Sequence, residues 1–194
     1  MLSQEEVKSI LIETNVLSDG HFLLTSGKHA NQYMQCAQLH QYADKTELVC
    51  RSLAEYFQDK NVEVVVGPAL GGIIFAYELS RILKVRNIFT ERENGKMTLR
   101  RGYSVAPGSN VLVVEDVVTT GGSVKEVIHV MEDAGANIVG VAAIVDRSNG
   151  QADFGYPFHA LISVQMETYE PENCPLCQKG IPIVKPGSRK TANV

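Results

Sequence analysis

Val111-Leu-Val-Val-Glu-Asp-Val-Val-Thr-Thr-Gly-Gly-Ser123 is the stretch around which the rest of the chain is organised. Val111 to Val114 is an unbroken apolar run, long enough for a buried strand and too short for a helix. Two adjacent acids, Glu115 and Asp116, are expected to end it. Beyond Thr119, Thr120, Gly121, Gly122 and Ser123, the residues Val124, Val127, Ile128 and Met131 repeat with the period of an amphipathic helix. A strand, an acidic turn, a small-residue loop and a helix start therefore follow one another. The first backbone N–H groups of such a helix lack partners and carry the positive end of its dipole. Glycines admit an anion close to the backbone and Thr and Ser hydroxyls add donors, so a phosphate is the natural occupant.

The carboxylates suit the next group along, because ionised acids only accept hydrogen bonds and sugar hydroxyls donate them. A phosphate cradle beside paired acids describes a 5-phosphoribosyl group, with its phosphate in the loop, Val117 and Val118 leading into it, and its 2′- and 3′-hydroxyls on Glu115 and Asp116. Thr-Thr-Gly-Gly alone would equally describe an ordinary β–α connection; the strand, the acids and the spacing together make the pattern specific. The Lys of the nucleoside-triphosphate loop is absent, as is the glycine spacing of dinucleotide folds.

With 194 residues, 44% hydrophobic and 21% charged, the chain suits one well-buried α/β core. The net charge of −4 speaks against non-specific binding to nucleic acid or membranes. The amino terminus has no basic region followed by an apolar core, and no apolar run approaches the ~18 residues of a spanning helix. A cytoplasmic location with reduced thiols is expected. Of the four cysteines, Cys36, Cys50, Cys174 and Cys177, Cys50 is expected in a helix core. Cys174-Pro-Leu-Cys177 is half of a zinc-ribbon pattern, but neither a second such pair nor a His pair at metal spacing completes it, so an ordinary C-terminal turn is expected.

Ser3-Gln-Glu-Glu6 is a capping box for an opening helix with Val7, Ile10 and Leu11 on one face. Phe22 to Gln35 is expected to form two short strands around Ser26-Gly27-Lys28. Asp44 is expected to cap a helix that turns Leu48, Val49, Ser52, Leu53, Tyr56 and Phe57 inward. From Val62 the pattern alternates between strand and helix, the signature of a parallel sheet with crossover helices. Val62–Val66, Arg86–Thr90, Ile138–Asp146 and an edge strand from His159 join the central strand, and Ile73–Leu83 is a helix. Gly67-Pro-Ala-Leu-Gly-Gly72 lies at a strand's carboxyl end, where open α/β sheets place ligands. It suits a second phosphate, or simply close helix–sheet packing. Arg147 follows another strand end, either as a surface ion pair or as a bidentate partner for a planar carboxylate or imide. Residues 91–103 are polar and basic, either a solvated hairpin or a mobile loop that closes over a polyanion. The tail from Pro171 has little periodicity and its last residues are expected to fray.

These residues resemble the orotate phosphoribosyltransferases, bacterial or archaeal, over roughly Gly20 to Arg189. The resemblance is carried by Phe22-Leu-Leu-Thr-Ser-Gly-Lys, Val66-Gly-Pro-Ala-Leu-Gly-Gly, Thr90-Glu-Arg-Glu-Asn-Gly-Lys, Val113-Val-Glu-Asp-Val-Val-Thr-Thr-Gly-Gly-Ser and Val145-Asp-Arg. The third-to-last of these strings is the flexible loop, and the acidic one is the 5-phosphoribosyl-diphosphate (PRPP) motif common to type I phosphoribosyltransferases. The resemblance implies a central, mostly parallel sheet flanked by helices, with a small hood from about residues 1–42 plus part of the C-terminal segment over a core of about 43–170. It implies transfer of the 5-phosphoribosyl group from PRPP to orotate, giving orotidine 5′-monophosphate and pyrophosphate for pyrimidine synthesis. Orotate would meet Ser26, Gly27, Lys28, Thr119 and Arg147; Glu115 to Ser123 would hold the phosphoribosyl group; Ala69, Leu70, Gly71 and Gly72 would meet pyrophosphate. Arg92 and Lys96, with Asp116, would serve catalysis, the loop reaching the site of a partner in a homodimer. Mg²⁺ would be held by PRPP, pyrophosphate and water rather than directly by the protein. Thr25 and Thr98 stand where many members carry Lys and His. A PRPP-sensing regulator and a purine phosphoribosyltransferase are the alternatives; the acidic charge and lack of a helix-turn-helix segment disfavour the first, and no aromatic shelf is visible for the second.

Overall fold

The structure, a computed structural model, describes residues 1–24 and 26–186. Thr25 and the last residues of the tail, for which expectations were stated above, lie outside the described residues.

Helix α1 (Gln4–Glu13) begins on the expected capping box: Glu6 N–H donates to Ser3 Oγ at 3.2 Å and Ser3 N–H to the Glu6 carboxylate at 2.7 Å. Strands β1 (Leu17–Leu23) and β2 (His29–Met34) pair antiparallel around the Ser26-Gly27-Lys28 tip. After a short 3-10 turn at Cys36–Gln41 comes α2 (Ala43–Phe57). Asp44 does not cap it. The helix starts two residues earlier, with Tyr42 at its N-cap, and Asp44 sits in the first turn, where the dipole still favours an acid. Val49, Ser52, Leu53 and Phe57 are buried as expected, but Leu48 and Tyr56 are exposed; Tyr56 stacks on His159 at 3.8 Å between centroids.

Strands β3 (Val64–Pro68), β4 (Arg86–Glu93), β6 (Asn110–Val118), β7 (Asn137–Asp146) and β8 (Phe158–Ser163) form the parallel part of a six-stranded sheet, with β5 (Lys96–Leu99) antiparallel on β4. The order is β5-β4-β3-β6-β7-β8. Helix α3 (Gly71–Leu83) links β3 to β4, and α4 (Gly122–Asp133) links β6 to β7. Because strand side chains alternate, Val65, Leu112, Val114, Ala142 and Ile144 pack with α1, α2 and α3 on one face. Val64, Val66, Val111, Val113 and Val141 pack with Val124, Val127, Ile128 and Met131 of α4 on the other. Burial on both faces is what the unbroken apolar runs require.

Glu115 and Asp116 do not end their strand. Strand β6 continues to Val118, with Val117 and Val118 paired to Val145 and Asp146 of β7. Val118 is fully buried, and that burial extends the strand past two residues of poor strand propensity. Residues 91–99 form a hairpin: β4 runs to Glu93, and Asn94 and Gly95, at φ 51° and 81°, turn the chain into β5. The second sheet, β1-β2-β9, gains β9 (Thr168–Tyr169) from the C-terminal segment. A one-turn helix α5 (Pro175–Gln178) follows, and the chain returns to β1, where Leu23 N–H donates to Val184 O and Val184 N–H to His21 O, both at 2.8 Å.

Candidate active site

The carboxyl ends of β3, β6 and β7 gather the turns singled out in the sequence. Between β6 and α4, residues 115 and 117–124 enclose a cleft of about 60 Å³. That is far below the ~300 Å³ where sites for whole organic ligands begin, and it suits one compact anion. Gly121, the residue before α4, has φ +75°, and a Cβ there would lie 2.7 Å from the Phe154 ring, so both conformation and space demand glycine. No side chain caps the helix start, which leaves its first N–H groups facing the cleft.

The turn from β3 into α3 is equally tight. A Cβ on Gly67 would come within 2.6 Å of Gly72 O, and one on Gly72 within 2.8 Å of the Pro68 ring. The Ala69–Leu70 peptide bond in this turn is cis. Ala69 N–H donates to Thr90 O at 2.7 Å, fixing the turn to β4. The two turns meet at Gly71, where a Cβ would lie 2.9 Å from Asp116 Oδ2. The backbone of one turn at Gly71 thus lies against Asp116 of the other.

Asp116 is held by its own turn, with Val117 N–H donating to Oδ1 at 2.7 Å. Burial pushes the Glu115 carboxyl up to about 8, and the adjacent Asp116 adds to the shift. Without a ligand, burial and the neighbouring acid thus favour the protonated form of Glu115 over the ionised one. Arg147, whose N–H donates to Val118 O at 2.7 Å, shares a cavity of about 390 Å³ with Thr119, Thr120, Ser148 and Gln151. Burial lowers its pKa from the ordinary value, with the nearby Cys36 opposing. The close-packing alternative for Gly67–Gly72 holds: these glycines bring the start of α3 onto the end of β3.

The hairpin residues stand apart in this chain. Arg92 pairs with Glu126 of α4 at 2.6 Å and donates to Gly95 O at 3.1 Å. Lys96 lines a separate cavity with Glu126, His129, Val130 and Asp133, and makes no ion pair among the described residues. In the hood, Lys28 pairs with Glu170 at 2.7 Å, and Ser26 and Gly27 are exposed. Neither set lines the cavity that Thr119 and Arg147 share.

The phosphoribosyl transferase domain family matches residues 37–169. The orotate phosphoribosyltransferase of Desulforamulus reducens is 54% identical over 189 residues, covering 97% of this chain and 99% of the relative. That of Thermotoga maritima is 54% identical over 183 residues, covering 94% and 98%. The chain belongs to the orotate phosphoribosyltransferase family. Among solved structures, the orotate phosphoribosyltransferase of Aeropyrum pernix superposes with a TM-score of 0.69 at 23% identity, over 81% of this chain and 93% of that one, a likeness of fold.

Two residues near the acidic pair escaped the sequence reading. Burial drives the Cys36 thiol far above its usual range, and the Asp116 carboxylate adds to the shift. Burial lowers the His40 pKa while Asp116 opposes, and neither ring nitrogen of His40 finds a hydrogen-bond partner among the described residues. Both come from the 3-10 turn after the hood hairpin, which carries no motif; a lone His in a polar stretch was the only available signal.

Proposed function

We propose that this chain moves the 5-phosphoribosyl group of PRPP onto orotate, releasing pyrophosphate and forming orotidine 5′-monophosphate for pyrimidine nucleotide synthesis. The supporting observation is the abutment of Gly71 on Asp116, which brings the β3–α3 turn against the acid at the end of β6. A 5′-phosphate in the Thr119–Ser123 turn and pyrophosphate along Ala69, Leu70, Gly71 and Gly72 would straddle a ribose held by Glu115 and Asp116. Val117 and Val118 form the wall of the phosphate cleft. Arg147 and Thr119 face the cavity beside it, where a planar carboxylate would find a fork of donors. Ser26, Gly27 and Lys28 at the hood tip would cover the base.

As the bond from ribose C1 to pyrophosphate breaks, positive charge develops on the sugar and negative charge on the leaving group. Preorganised amides and cations aimed at that negative charge are the main catalytic resource. Lys96 and Arg92 fill this role when the hairpin closes over the site and excludes water. Mg²⁺ would be carried by diphosphate oxygens and water, with Asp116 the carboxylate beside the pyrophosphate turn. When bound, Mg²⁺ neutralises charge on the departing pyrophosphate.

We take the enzyme to be a cytoplasmic homodimer. All four cysteines are unpaired, which fits a reducing compartment. No helix among the described residues is long and apolar enough to cross a membrane. Leu70, Ile74 and Tyr77, 84%, 51% and 58% exposed, form an apolar stripe on α3 beside the pyrophosphate turn, suited to a partner subunit. Assaying orotate, uracil, adenine and hypoxanthine with PRPP and Mg²⁺ tests the assignment: orotate alone should be consumed, and turnover of a purine without orotate turnover would overturn it.

A further inference from the structure

The C-x-x-C motif left as an ordinary turn is not isolated. Cys174 closes the 3-10 turn Pro171–Asn173 and serves as N-cap of α5, and Cys177 lies within that helix. The segment folds against the hood hairpin, where His21 of β1 and His29 of β2 face it. One ligand atom from each of these four residues lies within 4.8 Å of the others. His21 Nε2 is 3.0 Å from His29 Nδ1, 3.5 Å from Cys174 Sγ and 3.8 Å from Cys177 Sγ; Cys177 Sγ is 3.3 Å from His29 Nδ1. A zinc ion bound at ~2.3 Å to sulfur and ~2.0 Å to nitrogen needs tetrahedral edges of about 3.3 to 3.8 Å. These four spacings match that requirement to within a few tenths of an ångström, and the two remaining edges, from Cys174 Sγ to His29 and to Cys177, lie within 4.8 Å, so Cys174 closes in slightly on an ion.

Second-sphere chemistry agrees. His21 Nδ1–H donates to Ile181 O at 2.7 Å, which fixes the proton on Nδ1 and turns the Nε2 lone pair into the cluster. Cys174, His21 and His29 are buried, while Cys177 is exposed and leaves a path for an ion to enter. Two thiols and two imidazoles, without an oxygen ligand, select a soft divalent metal over Mg²⁺.

We propose that His21 Nε2, His29 Nδ1, Cys174 Sγ and Cys177 Sγ bind one zinc ion that clips the C-terminal segment to the hood. Each thiol loses its proton to solvent as the sulfur–zinc bond forms, and no electron is transferred. Four protein ligands complete the tetrahedron, so the ion has no open position and its role is structural. It joins residues more than 150 positions apart, since His21 and Cys174 are separated by 153, and ties the C-terminal segment to the three-stranded sheet. The ordinary alternative is a hydrogen-bonded pair of imidazoles beside two free thiols.

Metal analysis of the full chain, produced without a histidine tag under reducing conditions in zinc-containing medium, separates the two. About one zinc per chain is expected. After chelation, Co²⁺ added to the protein should give the intense visible bands of a tetrahedral site and a sulfur-to-cobalt charge-transfer band. Cys177→Ser, chosen because Cys177 lies outside the core, should weaken zinc binding by at least ~10²-fold. Chelation should lower the melting temperature of the wild type but not of that variant. Folded wild-type protein that is free of zinc and gives no tetrahedral cobalt spectrum would overturn the proposal. So would a Cys174–Cys177 disulfide in protein purified without oxygen, or undiminished zinc affinity in Cys177→Ser. None of these readouts depends on turnover, so they stand apart from the assignment of the reaction.

Discussion

Glu115 and Asp116 show how neighbours in sequence divide one task. Burial, and then the second acid beside it, hold the Glu115 carboxyl well above its usual range, up to about 8. Ribose hydroxyls donating to it would favour the ionised form, so PRPP binding at neutral pH should expel the carboxyl proton. Calorimetry in buffers of different ionisation enthalpy should record proton release for the wild type and markedly less for Glu115→Gln; equal release by both would remove Glu115 from the ribose contact. The same shift has a stability consequence. The folded chain binds this proton more tightly than the unfolded one, so the stabilisation is complete below pH 4.5 and is lost as pH rises towards 8. Melting temperature should fall across that window, and Glu115→Gln should flatten the fall. The acids themselves were legible as a pair in the sequence. Their protonation was not, because it depends on burial under a turn from elsewhere in the chain.

At the scale of elements, the site is two strand-to-helix turns pressed together and one hairpin held apart. Gly71 needs no positive φ, so Ala fits its backbone, yet the added Cβ would sit 2.9 Å from the Asp116 carboxylate. Gly71→Ala should therefore fold and lose PRPP affinity by ~10-fold or more through displacement of that acid, measured by calorimetry against a thermal melt. Unchanged affinity would show that the abutment does not matter to the sugar. The hairpin is tied to α4 by the Arg92–Glu126 pair, both side chains about half exposed. Such a surface pair contributes only ~0–1 kcal/mol and releases easily. Lys96→Ala should lower kcat ~10²-fold with little change in KM for PRPP, as expected of a cation that meets charge formed only in the transition state. Wild-type turnover in that variant would exclude the role. Asn94-Gly95 is among the strongest short-range hairpin signals, so the form of this segment was readable. Its parking place on α4 was not, because a surface ion pair leaves no pattern in sequence.

Across the whole molecule, what could be read was what is local: runs of Val and Ile that require two covered faces, glycines at strand ends, a capping box. What could not be read was assembled from afar. Cys36 and His40 lie at the acidic pair only because the 3-10 turn folds onto the end of β6, and the His and Cys cluster joins the two ends of the chain. The proposed dimer is the largest such assembly, and it makes a prediction that no single chain can satisfy. In this chain Lys96 lines a cavity with α4, outside the cleft at residues 115–124, and in the proposed dimer its route to substrate would cross the subunit interface. Lys96→Ala and Asp116→Asn should each be nearly inactive as homodimers. When subunits are exchanged at equal concentration, half of the dimers are mixed. If the hairpin acts in the partner's site, each mixed dimer has one site with an intact acid and an intact Lys and one site lacking both. Activity should then recover to about one quarter of the wild-type value. If Lys96 served its own subunit, every site in a mixed dimer would carry one lesion and no activity would return, so a steady-state assay of the mixture decides between the two arrangements.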